Sequence, residues 1–147
     1  MEIWQLTATE LRQQISKGEI SAREATESHL SRMDQINVKI NAVAQSCETE
    51  ALKEADLIDD KCLRGDELGA LAGVPVTVKI NVDQRGYATT NGLQLQKDLV
   101  AKIDNPVVNN LRKAGAIIIG RTNTPAFSLR WFTRNTIHGH TKNPLNP

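Results

Sequence analysis

A lysine closes a short β-branched run in this chain. Leu71-Ala-Gly-Val-Pro-Val-Thr-Val-Lys-Ile-Asn81 places Pro75 near the start of the run Val74 to Val78 and Lys79 at its end. The pattern predicts a buried strand entered through a turn, since proline is tolerated at a strand's beginning. In α/β sheets the carboxyl ends of strands are where ligands and catalytic groups gather. On surface base rates a solvated lysine is the commoner occupant of such a place. The chemical alternative is a base: a water-exposed lysine, pKa ~10.4, keeps its proton at neutral pH, whereas burial disfavours the charged form.

The other residues with reactive side chains make weaker arrangements. Gly115-Ala-Ile-Ile-Ile-Gly-Arg-Thr122 approaches the phosphate-loop pattern, with Arg where that pattern has Lys. Such a loop needs backbone amides free to cradle an anion, and Ala116 to Ile119 reads as a strand instead. A nucleotide-binding βαβ domain is therefore a distant option. His138-Gly-His140 offers two imidazoles but no third ligand at a metal-site spacing, so no metal is expected. His29 lies on a helix face with no second metal-type residue in its turn and reads as a packing histidine. Cys47 and Cys62 stand fifteen positions apart, neither a CxxC nor a metal spacing. A reducing compartment fits them better than a disulfide framework.

The elements that must position Lys79 follow from periodicity and caps. Thr7-Ala-Thr-Glu10 is a capping box opening a short helix to about Lys17, with Leu11 and Ile15 inward and Gly18 as its stop. Ser21-Ala-Arg-Glu24 opens a second helix to about Asn37, with Ala22, Ala25, His29, Met33 and Ile36 on one face. Asn41 to Ala44 reads as an extended link. A third helix runs from Glu48 to about Arg64, with Ala51, Ala55, Ile58 and Cys62 inward and pairs such as Asp59-Asp60 outward as solvated charges. After the lysine strand, residues up to Ile103 show no period and read as irregular loop. Asp104 or Asn105 caps a helix with Pro106 in its first turn, Val107, Val108 and Leu111 inward and Gly115 at its end. Ala116 to Gly120 is a second buried strand, which makes a parallel, right-handed βαβ unit. Thr124-Pro125 predicts a further short helix from Ala126 to about Phe132. Arg134 to Pro147 carries little pattern.

Bulk composition bounds the partners. The chain of 147 residues is the size of one ordinary domain, with 18 Lys and Arg against 17 Asp and Glu. No global field steers it to nucleic acid or an anionic membrane, and two Trp, one Tyr and two Phe are too few for a base-stacking platform. The amino terminus has no basic leader, and no run approaches membrane-spanning length, so a cytoplasmic protein is expected.

Four strings in order resemble the amidase signature family over about 75 residues. They are Leu71 to Lys79; Thr89-Thr-Asn-Gly92; Asn105-Pro-Val-Val108 with Leu111 to Asn123; and Gly139-His-Thr-Lys-Asn-Pro144. Ile40-Asn-Ala-Val43 and the helices before it are similar to the family's amino-terminal region. The resemblance implies an α/β fold: the amino-terminal portion of the amidase-signature α/β/α architecture. Helices (residues 1–70) come first, then a βαβ unit of an incomplete mixed sheet that holds the lysine strand (71–147), all in one partial domain. It also implies a Lys-Ser-Ser amidase that hydrolyses a carboxamide to an acid and ammonia or amine, with Lys79 as the catalytic lysine and no cofactor. Substrate-binding residues are not assigned.

The same resemblance carries two departures and one consequence. The family usually has Asp after the lysine, where this chain has Ile80, and Gly-Ser after the Thr pair, where Leu93 follows Gly92. The family's two serines and oxyanion amides lie in a Gly- and Ser-rich segment that would follow Pro147. The serines at 16, 21, 28, 31, 46 and 128 match no part of it. The lone chain is therefore expected to be inactive until a complementing carboxy-terminal fragment is supplied. The alternative is a non-catalytic remnant that acts as a self-associating or binding domain. In either case strands 74–78 and 116–120, interior in a full sheet, are expected to expose edges here.

Overall fold

Two reciprocal caps and one long-range carboxylate set the helical opening. The computed structural model describes residues 2–147. In helix α1 (Ala8–Ser16), the Thr7 oxygen accepts from the Glu10 amide while Glu10 accepts from the Thr7 amide. Ser21 and Glu24 do the same for α2 (Ala22–Ile40). The amides of Ala22 and Arg23 donate to the two carboxylate oxygens of Asp59, at 2.6 and 3.0 Å. Asp59 is thus a cap for the positive end of α2 rather than a merely solvated charge. Helix α2 runs three residues past the expected end, to Ile40, where Asn41 leaves the helix at φ 51°. Helix α3 (Glu48–Arg64) matches its expected span and ends on Gly65 at φ 71°.

The expected link after α2 is a strand. β1 (Val43–Ser46) pairs antiparallel with β3 (Ile117–Thr122), with Gln45 opposite Arg121 and Ser46 opposite Gly120. Its four residues are half-buried or exposed, so no apolar pattern marks it; its existence depends on a partner more than 70 residues away. β2 (Pro75–Lys79) lies on the other side of β3, giving the order β1-β3-β2. Ile117 N donates to Val74 O and Ile80 N to Thr122 O, so β2 and β3 advance in the same direction, as expected of the βαβ unit. β3 is the inner strand and extends beyond Gly120 to Thr122, whereas β2 keeps one edge open. Helix α4 (Pro106–Lys113) connects them. It buries Val108 but leaves Val107 60% exposed, so the inward face is narrower than the run of valines suggests.

Two compact units share these elements along the chain. The first holds the residues up to Met33, Cys47–Val76 and Asn110–Ile119. Its core is hydrocarbon: Leu11, Ile15, Leu30, Ile58 and Ile117 among small alanines. At Gly115, φ is 84°, and a Cβ there would stand 2.8 Å from the Ala72 backbone. Glycine alone permits that turn and approach. His29 is half-buried, its Nδ1 2.7 Å from the Ala25 carbonyl oxygen, as a packing histidine should be.

The second unit holds Asp34–Ser46, Thr77–Asn109 and Gly120–Pro147. The helix expected from Ala126 to Phe132 is reduced to one 3-10 turn, Ala126–Ser128. Phe127 and Ser128 sit at φ 55° and 58°, which an α-helix cannot continue. The pattern-poor end contains a small hairpin, β4 (Arg134–Asn135) with β5 (Gly139–His140). Among the described residues no helix is long and apolar enough to cross a membrane.

Candidate active site

Lys79 is the last residue of β2 and half-buried, with its own carbonyl accepting from Val82 N at 2.9 Å. That bond closes a turn, so the chain leaves the strand immediately after the lysine. Among the described residues the Lys79 ammonium has no hydrogen bond or ion pair. Ile80, where the family places Asp, is 1% exposed and packs as a hydrocarbon beside the lysine. The departure therefore substitutes packing for a carboxylate and leaves Lys79 without a charged neighbour at that position.

Asn81 begins a directed chain of hydrogen bonds. Its Nδ2 donates to Ser128 Oγ at 3.2 Å, and Ser128 Oγ lies 2.9 Å from Thr124 Oγ1. Thr124 spends its proton on the Pro125 carbonyl, so Ser128 donates to Thr124. Ser128 is thus the serine tied to the loop that follows Lys79, yet its proton is committed to a neutral hydroxyl. Neither a base nor an imidazole activates it, so it is not arranged as a nucleophile. Its left-handed backbone and that of Phe127 cost about 1–3 kcal/mol each, held by this chain and by the bond from Phe127 N to Asn91 O.

The Thr89-Thr-Asn-Gly92 string meets the carboxy-terminal hairpin. Thr90 Oγ1 is 2.9 Å from His138 Nε2, and Asn41 Nδ2 donates to His138 O at 2.6 Å. Asn135 accepts from Ile137 N and His138 N, and its Nδ2 donates to Asn123 Oδ1 and Thr124 O, both at 2.8 Å. Asn123 in turn donates to Thr141 Oγ1 at 3.1 Å. Burial first, and the Arg121 charge second, push His138 below the ordinary imidazole range, so it is held as a neutral member of this network. His138 is thereby tied to Thr90, while His140 is exposed. Among the described residues no cluster of His, Cys, Asp and Glu could hold a metal.

Above the hairpin lies a cleft of about 960 Å³ lined by Gly92, Ala126, Arg130, Phe132, Asn135 and His140, among others. Its size suits a small molecule or a packed segment of protein. Lys79 is not part of its lining. The sequence reading missed the two residues that organise this region. Arg121 could have been suspected as a cation inside an otherwise apolar strand, and Asn135 as an Asx turn two residues before Ile137.

A lysine-tipped strand beside an inner strand, preceded by capped helices and followed by the Thr-Thr-Asn-Gly loop, is the opening part of the amidase-signature architecture. The chain belongs to the amidase family: the family model described as Amidase matches residues 24–147. It is 50% identical over 145 residues to an indoleacetamide hydrolase of Bradyrhizobium diazoefficiens, covering 99% of this chain and 28% of that protein. It is 35% identical over 144 residues to one of the subunits of glutamyl-tRNA(Gln) amidotransferase from Alkaliphilus metalliredigens, covering 98% of this chain and 29% of that one. Among solved structures, a bacterial aryl acylamidase of the amidase signature family superposes with a TM-score of 0.90 at 29% identity. That match covers 97% of this chain and 30% of the acylamidase. The chain thus spans under a third of the length of the relatives it matches, as an amino-terminal portion of larger enzymes.

Proposed function

We propose that these residues supply the lysine side of a Lys-Ser-Ser amidase site that hydrolyses a small carboxamide to a carboxylic acid and ammonia. The observation that carries this reading is the place of Lys79: at the carboxyl end of β2, half-buried, with no carboxylate bound to it. In the proposed step, Lys79 Nζ accepts a proton through a hydroxyl relay as a serine oxygen attacks the amide carbon. The proton then leaves with ammonia as the carbon–nitrogen bond breaks, and water releases the acid from the acyl-serine. Both serines belong to the part of the family fold that these residues do not span. The likeness to an indoleacetamide hydrolase makes indole-3-acetamide the first substrate to try. Ammonia release by the 147-residue chain alone is expected at background. Adding a family fragment that carries the serines is expected to restore it, and Lys79→Ala to remove it about a thousandfold or more. Turnover by the chain alone that depends on Lys79 would overturn the need for a supplied serine.

A second reading, a self-associating non-catalytic remnant, is favoured by three observations: the buried Ile80, the open edge of β2, and exposed Leu129, Trp131 and Phe132. Light scattering is expected to give a mass above that of one chain. A clean monomer would remove this reading.

A further inference from the structure

We infer that Arg121 is the positioning residue for Lys79, an assignment that rests on the amidase reading of that lysine. Arg121 is the largest fully buried side chain, 0% exposed, in a strand that opens with Ile117, Ile118 and Ile119. Its guanidinium donates to three backbone carbonyls of a single loop: Ala88 O at 2.6 Å, Val82 O at 2.8 Å and Ile80 O at 3.4 Å. Its carbon also stands 5.7 Å from the centre of the Tyr87 ring. The loop held this way is the one that begins where Lys79 ends.

The geometry is specific to the lysine's exit. Val82 N closes the turn on Lys79 O, and Arg121 holds the carbonyl of that same Val82. Ile80 N is tied to Thr122 O in β3, and Arg121 holds the Ile80 carbonyl from the adjoining residue of the same strand. The carbonyls of Ile80 and Val82, the first and third residues after Lys79, are thus both held from β3. A buried cation is an inefficient stabiliser, since a hydrocarbon of similar volume in such a place is often neutral or better. What a hydrocarbon cannot do is hold several carbonyls of one loop at fixed angles. A rigid fork with five donors does so, and a lysine, with one point of charge, does so only in part.

The test reads Lys79 directly in the 147-residue chain and needs no turnover. Lysines carrying ¹³C-dimethyl groups are observed by NMR, the Lys79 resonance being assigned by its loss in Lys79→Arg. Lys53 and Lys61, exposed on α3, serve as internal controls. The wild-type Lys79 resonance is expected to stand apart from the controls. In Arg121→Met it should collapse onto them while theirs stay fixed, and in Arg121→Lys it should take an intermediate position. A merely structural arginine would lower the melting temperature and leave the Lys79 resonance where it was; that result overturns the inference. If Arg121→Met does not fold, an unchanged Lys79 resonance in folded Arg121→Lys overturns it equally. A Lys79 resonance governed by Arg121, together with Lys79-independent turnover in the complemented enzyme, would sink the amidase reading and leave the positioning role standing.

Discussion

The two compact units bury opposite kinds of side chain. In the first, the core is hydrocarbon, and Thr26 is its one buried polar side chain among the described residues. In the second, Gln84, Thr90, Arg121, Asn123 and Thr124 are buried beside a few hydrocarbons such as Val78, Ile80 and Val108. The first unit is held by area removed from water, which depends on volume and pattern. The second is held by side chains that satisfy named backbone groups, which depends on identity, because an orphaned buried partner carries its full desolvation cost. The lysine-bearing turn belongs to the second kind, as the proposed site, which requires fixed angles, should.

A pair of similar-sized substitutions breaks or sharpens this contrast most strongly. Asn123→Leu should cost about 3 kcal/mol in urea unfolding, because Asn135, Thr141 and the buried Thr124 amide each lose one partner. Ile118→Leu in the first unit should cost only about 1 kcal/mol, being volume-conserving. Equal costs would end the distinction. Gly115→Ala tests an exception in the first unit, a place where geometry rather than volume decides, as it also does at Gly69 and Gly73. With φ at 84° and the Ala72 backbone in the way, a loss of about 2–3 kcal/mol is expected, and a neutral result would mean that the turn relaxes. Thr7→Ala, which removes half of an exposed cap, should cost about 1 kcal/mol, readable as a small drop in urea midpoint.

The smallest effect is in pH. His138 titrates lower in the folded chain than in the unfolded one, so folding favours its neutral form. Its contribution is fully present above the unfolded imidazole value of about 6.5 and is lost as pH falls through the lowered folded value. Stability should therefore decline on acidification across that window, and His138→Gln should flatten that part of the curve. An unchanged slope in the variant would show that His138 is not the group responsible.

The same contrast explains what could be read in advance. Helix α3 was legible from Glu48 to about Arg64 because Ala51, Ala55 and Ile58 recur on one face. Both capping boxes formed as their spacing predicts. Helix α2 ran on to Ile40 because nothing before Asn41 breaks it, and β1 was invisible because only its partner β3 makes it a strand. Thr124-Pro125 imitates a helix start, yet left-handed Phe127 and Ser128 and the Asn81–Ser128 bond make that stretch a turn. For the candidate site, the strand that ends on Lys79 was legible, whereas the Arg121 and Asn135 anchors around the loops were not. The partners of Arg121 lie 30 or more residues away and leave no period, and Asn135 sits in a stretch with little pattern.

The order of amino acids by itself determined the helices, the lysine-tipped strand and the parallel unit around it, because periodicity and caps act over a few residues. It also determined membership of the amidase family, through four strings whose order and spacing survive without any fold. Tertiary structure alone decided that β1 exists, that β3 is the inner strand and that a buried arginine grips the turn after Lys79. Those outcomes depend on which carbonyl lies within three ångströms of which donor, and only the folded chain sets that distance.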